Sequence, residues 1–90
     1  IFGGVVKGCI HVFGGEGNTA DPRGVFPDHD VYNPKTDKWT RLPDMMIAVH
    51  AVNGIGVIND IIYIPGGSIT QGGDSNSTQV QVYNPDISCL

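Results

Sequence analysis

The sequence predicts an all-β chain assembled from two copies of one antiparallel unit of four strands. Two observations carry that prediction. A patterned segment recurs about fifty residues later in the chain, and 13 glycines and 6 prolines break the sequence too often for long helices. The runs between the breaks are short, β-branched and aromatic, as strands require.

The recurrence is specific. Val5-Val6-Lys7-Gly8-Cys9-Ile10-His11-Val12-Phe13-Gly14-Gly15 aligns without a gap with Val57-Ile58-Asn59-Asp60-Ile61-Ile62-Tyr63-Ile64-Pro65-Gly66-Gly67, at an offset of 52 residues. Val31-Tyr32-Asn33-Pro34 then matches Val82-Tyr83-Asn84-Pro85 at an offset of 51. Each part has a physical reading. Val5-Val6 and Val57-Ile58 end a first strand. Lys7-Gly8 and Asn59-Asp60 are two-residue hairpin turns of residues that tolerate positive φ. Ile10–Phe13 and Ile61–Ile64 form a buried second strand, and the double glycines let the chain leave it where backbones crowd. Asp30-Val31-Tyr32 is a third strand. Asn33 to Asp37 is turn chemistry, and Lys38–Leu42 alternates as a fourth strand with Trp39 expected to face inward, ended by Pro43. The copies divide the chain at 1–46 and 47–90, the first short of part of its innermost strand and the second of its outermost.

These residues resemble the kelch repeat. Its blade is similar in order: a strand, a short turn, a strand ending in double glycine, a variable loop, a strand ending in Tyr-x-Pro, and a Trp a few residues on. Here the corresponding residues are Gly14, Gly15, Tyr32, Pro34 and Trp39 in the first copy, and Gly66, Gly67, Tyr83 and Pro85 in the second. Pro65 departs from the usual aromatic, Leu90 stands where a second Trp is expected, and Gly3-Gly4 is expected to lie within a strand. The resemblance implies kelch-type β-propeller blades of four antiparallel strands. A propeller closes about 4 to 8 blades, or roughly 200 to 400 residues at this period, so 90 residues make an incomplete propeller. A fragment of a longer chain is the expected explanation. Blades from other copies, or docking on another protein, are the alternatives, because two lone blades leave apolar faces and strand edges in water.

Composition excludes several classes. The net charge of −4, with five scattered basic residues, offers no footprint for nucleic acid. No apolar run approaches the roughly 20 residues of a spanning helix, and Ile1-Phe2-Gly3-Gly4 lacks the basic region of a signal peptide. Cys9 and Cys89 lack metal-ligand spacing and do not amount to a disulfide framework. Cys9 is expected as a small buried strand residue rather than half of a bridge. Gly14-Gly15-Glu16-Gly17 has no Gly-Lys-Ser/Thr ending and opens no helix, so it is not a phosphate loop.

Alternating strand direction puts the long connections, Glu16 to His29, Pro43 to Val49 and Ser68 to Thr78, on one face. Long loops on a rigid scaffold are where binding concentrates. The candidates there are Glu16, Asn18, Asp21, Arg23, Asp28, His29, His50, Asp74 and Asn76, with Arg23 first as the only arginine of the longest loop. His11 is expected as a satisfied core histidine. Asp28-His29-Asp30 has no second matching His or Cys, so neither a metal nor a cofactor is expected. Asp74-Ser75-Asn76-Ser77-Thr78 lacks the full calcium-loop pattern, but Asn76-Ser77-Thr78 fits the N-glycosylation acceptor.

No catalytic constellation is visible. The expected function is a non-catalytic interaction module that binds a protein or a glycan through the long-loop face. The alternatives are a piece of a kelch-fold carbohydrate-active enzyme, resembling sialic acid epimerases or galactose oxidase, and a structural assembly subunit. The acidic balance and polar loops lean towards an extracellular setting.

Overall fold

A computed structural model describes residues 1–73 and 75–90 of the chain. Among the described residues, seven strands form two antiparallel sheets. β1 (Phe2–Val6), β2 (Cys9–Phe13), β3 (His29–Asn33) and β4 (Lys38–Leu42) lie in sequence order in the first sheet. β5 (Gly56–Ile58), β6 (Ile61–Pro65) and β7 (Val80–Tyr83) form the second, also in order. No helix among the described residues is long and apolar enough to cross a membrane.

The turns follow from local chemistry. Lys7 and Gly8 sit at φ 49° and 75°, and Asn59 and Asp60 at 50° and 63°. Positive φ at both central residues gives the turn whose twist matches the strands it joins. Gly3 and Gly4 lie inside β1. β1 has five residues and β5 three.

The sheets pack face to face. Phe2, Val6 and Phe13 of the first meet Ile62 and Ile64 of the second, and Met45 and Val49 of the connecting segment close the core. Phe13, Ile62 and Ile64 are fully buried, and each such side chain contributes roughly 1.5–3 kcal/mol relative to exposure.

The two sheets present opposite faces to this core. Cross-strand pairing sets Val5, Ile10, Tyr32 and Trp39 in one row across the first sheet. The repeat equivalents Val57, Ile62 and Tyr83 form the matching row of the second. In the second sheet that row faces the core, with Ile62 at 0% exposure; in the first it faces outward, with Val5 and Trp39 each 62% exposed. Trp39 therefore does not face inward as its alternation suggests. It packs on Tyr32 at a ring separation of 5.1 Å, on the side of the first sheet turned away from its neighbour. On the far side of the second sheet, Ile58, Val80 and Val82 are likewise exposed.

Cys9 and Cys89 form a disulfide, contrary to the expectation of an unbridged Cys9. After β7 the chain runs back under the first sheet, where the Cys89 N–H donates to the Lys7 carbonyl at 2.9 Å. That places the two Cα atoms 5.1 Å apart, within bridging range. Local pattern carries no trace of an approach across 80 residues. Val31, Leu42 and Ile87 pack around the bridge.

Two histidines occupy the seam. His11 Nδ1 and His29 Nε2 are 2.8 Å apart, both buried, so one ring donates and the other accepts while both are neutral. His29 stacks on Phe13 at 4.0 Å and lies 6.2 Å from the Tyr83 ring. His11 Nε2 has no partner among the described residues, so this histidine is only half satisfied. His29 was expected in the long loop; it opens β3 instead, paired with Phe13 and Leu42.

Burial pushes the His11 pKa below its ordinary 6.5. Burial, reinforced by repulsion from His11, pushes His29 to about 4. The unfolded chain therefore binds more protons than the folded one between these values. Stability is full above pH 6.5 and falls as the pH drops towards 4, by about 3 kcal/mol from His29. Urea midpoints at pH 7.5 and 4.5 measure this loss. The paired substitution His11→Phe and His29→Phe should flatten the slope; an unchanged slope would assign the acid sensitivity to carboxylates. For the bridge, Cys9→Ser with Cys89→Ser should lower unfolding free energy by about 3–4 kcal/mol, because the open chain regains the entropy of a long loop. Equal stability of the bridged and substituted chains would show that the bridge restrains little.

Candidate functional site

The long connections gather at one end of the sheets, and the first of them is braced by its own backbone. Gly14 turns the chain out of β2 at φ 67°, where an added Cβ would run into the Val49 carbonyl. The following loop folds back on itself: Glu16 bridges Val25, and the Gly17 N–H donates to Gly24 at 2.8 Å. The Asp21 carboxylate accepts from the N–H groups of Arg23 and Val25, an Asx-type closure that explains an aspartate at this point. Asn18 Nδ2 donates to the Val25 carbonyl at 2.9 Å.

The segment between the sheets is clamped from both sides. The Met45 N–H donates to the Pro27 carbonyl at 2.8 Å. The Met46 N–H donates to the Tyr83 hydroxyl at 2.9 Å, and that hydroxyl donates to Gln81 Oε1 at 2.6 Å. Gln81 completes the clamp, accepting from the Ile47 N–H and donating to the Ile47 carbonyl. Burial pushes the Tyr83 phenol pKa up, which keeps it a donor; the hydrogen bond from Met46 opposes that rise. The outcome is a methionine pair split by exposure: Met45 is 4% exposed and Met46 91%.

The loops of the two sheets are also laced together. The Gly72 N–H donates to Glu16 Oε2 at 3.0 Å, and the Gln71 N–H donates to the Arg23 carbonyl at 2.8 Å. Glu16 Oε2 lies 3.7 Å from His50 Nε2. His50 is buried and contacts the Thr70 carbonyl through Nε2 at 2.6 Å, which fixes that nitrogen as the protonated one. On the other side Arg41 joins Asp44 at 2.8 Å and Asp28 at 3.2 Å. The Asp44 hydrogen bond chiefly, with Coulombic help from Asp28, Asp44 and Asp30, raises the Arg41 pKa further.

Between the first loop and the clamped segment lies a groove of about 310 Å³. Asn18, Asp21, Arg23, Val25, Pro27, Met45, Met46 and Ala48 line it. Arg23 is half exposed and its Nε stands 4.0 Å from Asp21, too long for a tight pair. The groove thus offers a loosely held guanidinium, an acidic neighbour and an exposed thioether on a backbone already fixed in place.

The residues singled out in the sequence divide accordingly. Arg23 and Asp21 line the groove. Glu16 and His50 brace one loop against another, and Asp28 pairs with Arg41. His29 is inside the seam, and Asp74 lies outside the described residues. Asn76 is exposed and its backbone bridges Ser68. Met46, Gln81 and the Tyr83 hydroxyl carry more of the site than the sequence suggested. The one local signal was the Met-Met step beside Pro43; the clamp spans residues 34 and 37 apart. The described residues hold no group of three or more His, Cys, Asp or Glu able to bind a metal ion.

Comparison with known proteins matches the kelch motif model to residues 3–46. The chain is 33% identical over 82 residues to Kelch-like protein terF of Aspergillus terreus, covering 91% of this chain and 17% of that protein. It is 30% identical over 80 residues to Kelch-like protein 23 of Homo sapiens, covering 89% of this chain and 13% of that one. The mouse form of Kelch-like protein 23 is 29% identical over the same length. The chain therefore spans less than a fifth of the length of these relatives. Repeated register, sheet order and motif residues agree with these matches, and the chain belongs to the kelch-repeat family.

Proposed function

We propose that this chain is a kelch-repeat interaction module that binds protein through its long-loop face, with the groove beside Arg23 and Met46 as the contact. The observation that carries this reading is Met46, which stays 91% exposed while its backbone is tied to Tyr83 and its neighbours to Pro27 and Gln81. An exposed apolar side chain on a fixed backbone contributes contact area without the cost of ordering a loop. Methionine adapts to varied partner surfaces, and arginine is enriched where binding energy concentrates. Arg23 beside it favours a partner segment that pairs a carboxylate with an apolar side chain, a combination that suits a peptide better than a neutral glycan.

Selection of displayed peptides against the full chain should enrich segments carrying an acidic residue near an aliphatic or aromatic one. Arg23→Glu and Met46→Ala should each weaken the selected peptides roughly tenfold, the loss of a principal interface side chain, with the unfolding midpoint unchanged. Asp28→Ala, which removes a partner of Arg41 outside the groove, should bind like the parent chain. Peptides that bind all three variants equally would place the contact elsewhere; enrichment of glycans on an array, with no peptide selected, would replace the protein partner by a sugar.

A further inference from the structure

We infer that Asn76 is an N-linked glycosylation site, and that this chain matures in an oxidising, secretory-type compartment. Two independent features lead there. The first is the Cys9–Cys89 disulfide, which joins the two ends of the chain and leaves no free cysteine; such bridges persist in oxidising compartments and are rare where thiols are kept reduced. The second is Asn76-Ser77-Thr78, an acceptor triplet without proline at its centre.

The fold can carry a glycan on that triplet. Its backbone is positioned from one side: Asn76 bridges Ser68, which in turn bridges His50, and the Ser77 N–H donates to the Gly67 carbonyl at 2.7 Å. Asn76 is the outer member of this short ladder, and both Asn76 and Thr78 are exposed. Ser77, the central residue whose identity is free, is the one whose hydroxyl is engaged, accepting from the Gln79 N–H at 3.0 Å. Neither apolar core includes a residue of the triplet, so a bulky hydrophilic group can be carried here without unpacking the sheets. Asn53, Asn59 and Asn84 are followed by Gly-Ile, Asp-Ile and Pro-Asp, and Asn18 and Asn33 by Thr-Ala and Pro-Lys; none of them is an acceptor.

The chemistry is a group transfer with a polyprenyl-diphosphate-linked oligosaccharide as co-substrate. The Asn76 amide nitrogen bonds to the anomeric carbon, and the carbon–oxygen bond to the diphosphate breaks. The polyprenyl diphosphate leaves with that electron pair, and the amide gives up one proton to a base of the transferase. No oxidant or reductant takes part.

The test fuses the full chain to a cleavable secretion leader and translates it with microsomes, where transfer does not depend on the completed fold. One glycan should be added, removable by peptide-N-glycosidase, and lost in Asn76→Gln and in Thr78→Val but kept in Ser77→Ala. In parallel, chain isolated from its source cells should yield a peptide starting at Leu42 that gains a heavy-oxygen label at Asn76 during enzymatic deglycosylation, and should show no titratable thiol before reduction. An unmodified parent chain inside the microsomes, or an unlabelled Asn76 in source material, overturns the assignment. Free thiols in the source material would separately remove the oxidising compartment. Neither result bears on the groove beside Arg23, whose peptide binding is measured without the glycan.

Discussion

Everything in this chain depends on one packing arrangement, in which two sheets of the same repeat bury opposite faces against each other. Ile62 and Ile64 fill the seam from one side, and Phe2, Val6 and Phe13 from the other. Because the faces differ, the contact is directional rather than self-complementary. Each sheet keeps the surface that its counterpart has used: Val5, Ile10 and Trp39 at one end, and Ile58, Val80 and Val82 at the other. A repeat whose units each contact only their neighbours must leave such surfaces at its ends.

The same arrangement builds the loop face. Tyr83 and Gln81 stand near the end of β7 because that strand pairs with β6, and from there they reach the backbone of Met46 and Ile47. Without the second sheet packed against the first, the backbone of Met46 and Ile47 would lose the groups that hold it, and only the Met45 bond to Pro27 would stay. The loops add their own bracing, through Asp21 within the first and Glu16 between the first and the loop that follows β6. Most charged residues of the face are spent on this internal work. That is why Arg23, loosely paired at 4.0 Å, differs from Arg41, which holds two carboxylates.

Two features of the seam set its chemical limits. A neutral histidine pair fills an aromatic-lined space with polar rings that share one hydrogen bond while both remain uncharged, although His11 Nε2 is left without a partner among the described residues. It also couples the seam to acid, because either proton must enter a site that disfavours charge. The disulfide restrains the other end of the same interface, where Cys89 meets the hairpin between β1 and β2. One feature weakens the packed state at low pH, and the other restricts the chain's freedom when it opens.

The sequence alone determined the features that depend on neighbours along the chain. The hairpin turns at Lys7-Gly8 and Asn59-Asp60, the strands they join, the double glycines that end β2 and β6, and the four-stranded order were all legible there. Such features repeat when the residues repeat, so an offset of 51 to 52 residues was enough to find them. The burial of a given face was not legible, because identical alternation serves a sheet packed on either side. Trp39 therefore read as inward and stands outward, while Ile62 at the row's equivalent position is buried. His29 read as a loop residue because two aspartates flank it, and its partnership with His11 joins strands that are remote in sequence. The bridge between Cys9 and Cys89 and the clamp on Met46 have the same origin. They are set by how two sheets and a returning chain end meet in space, and only the tertiary structure decided them.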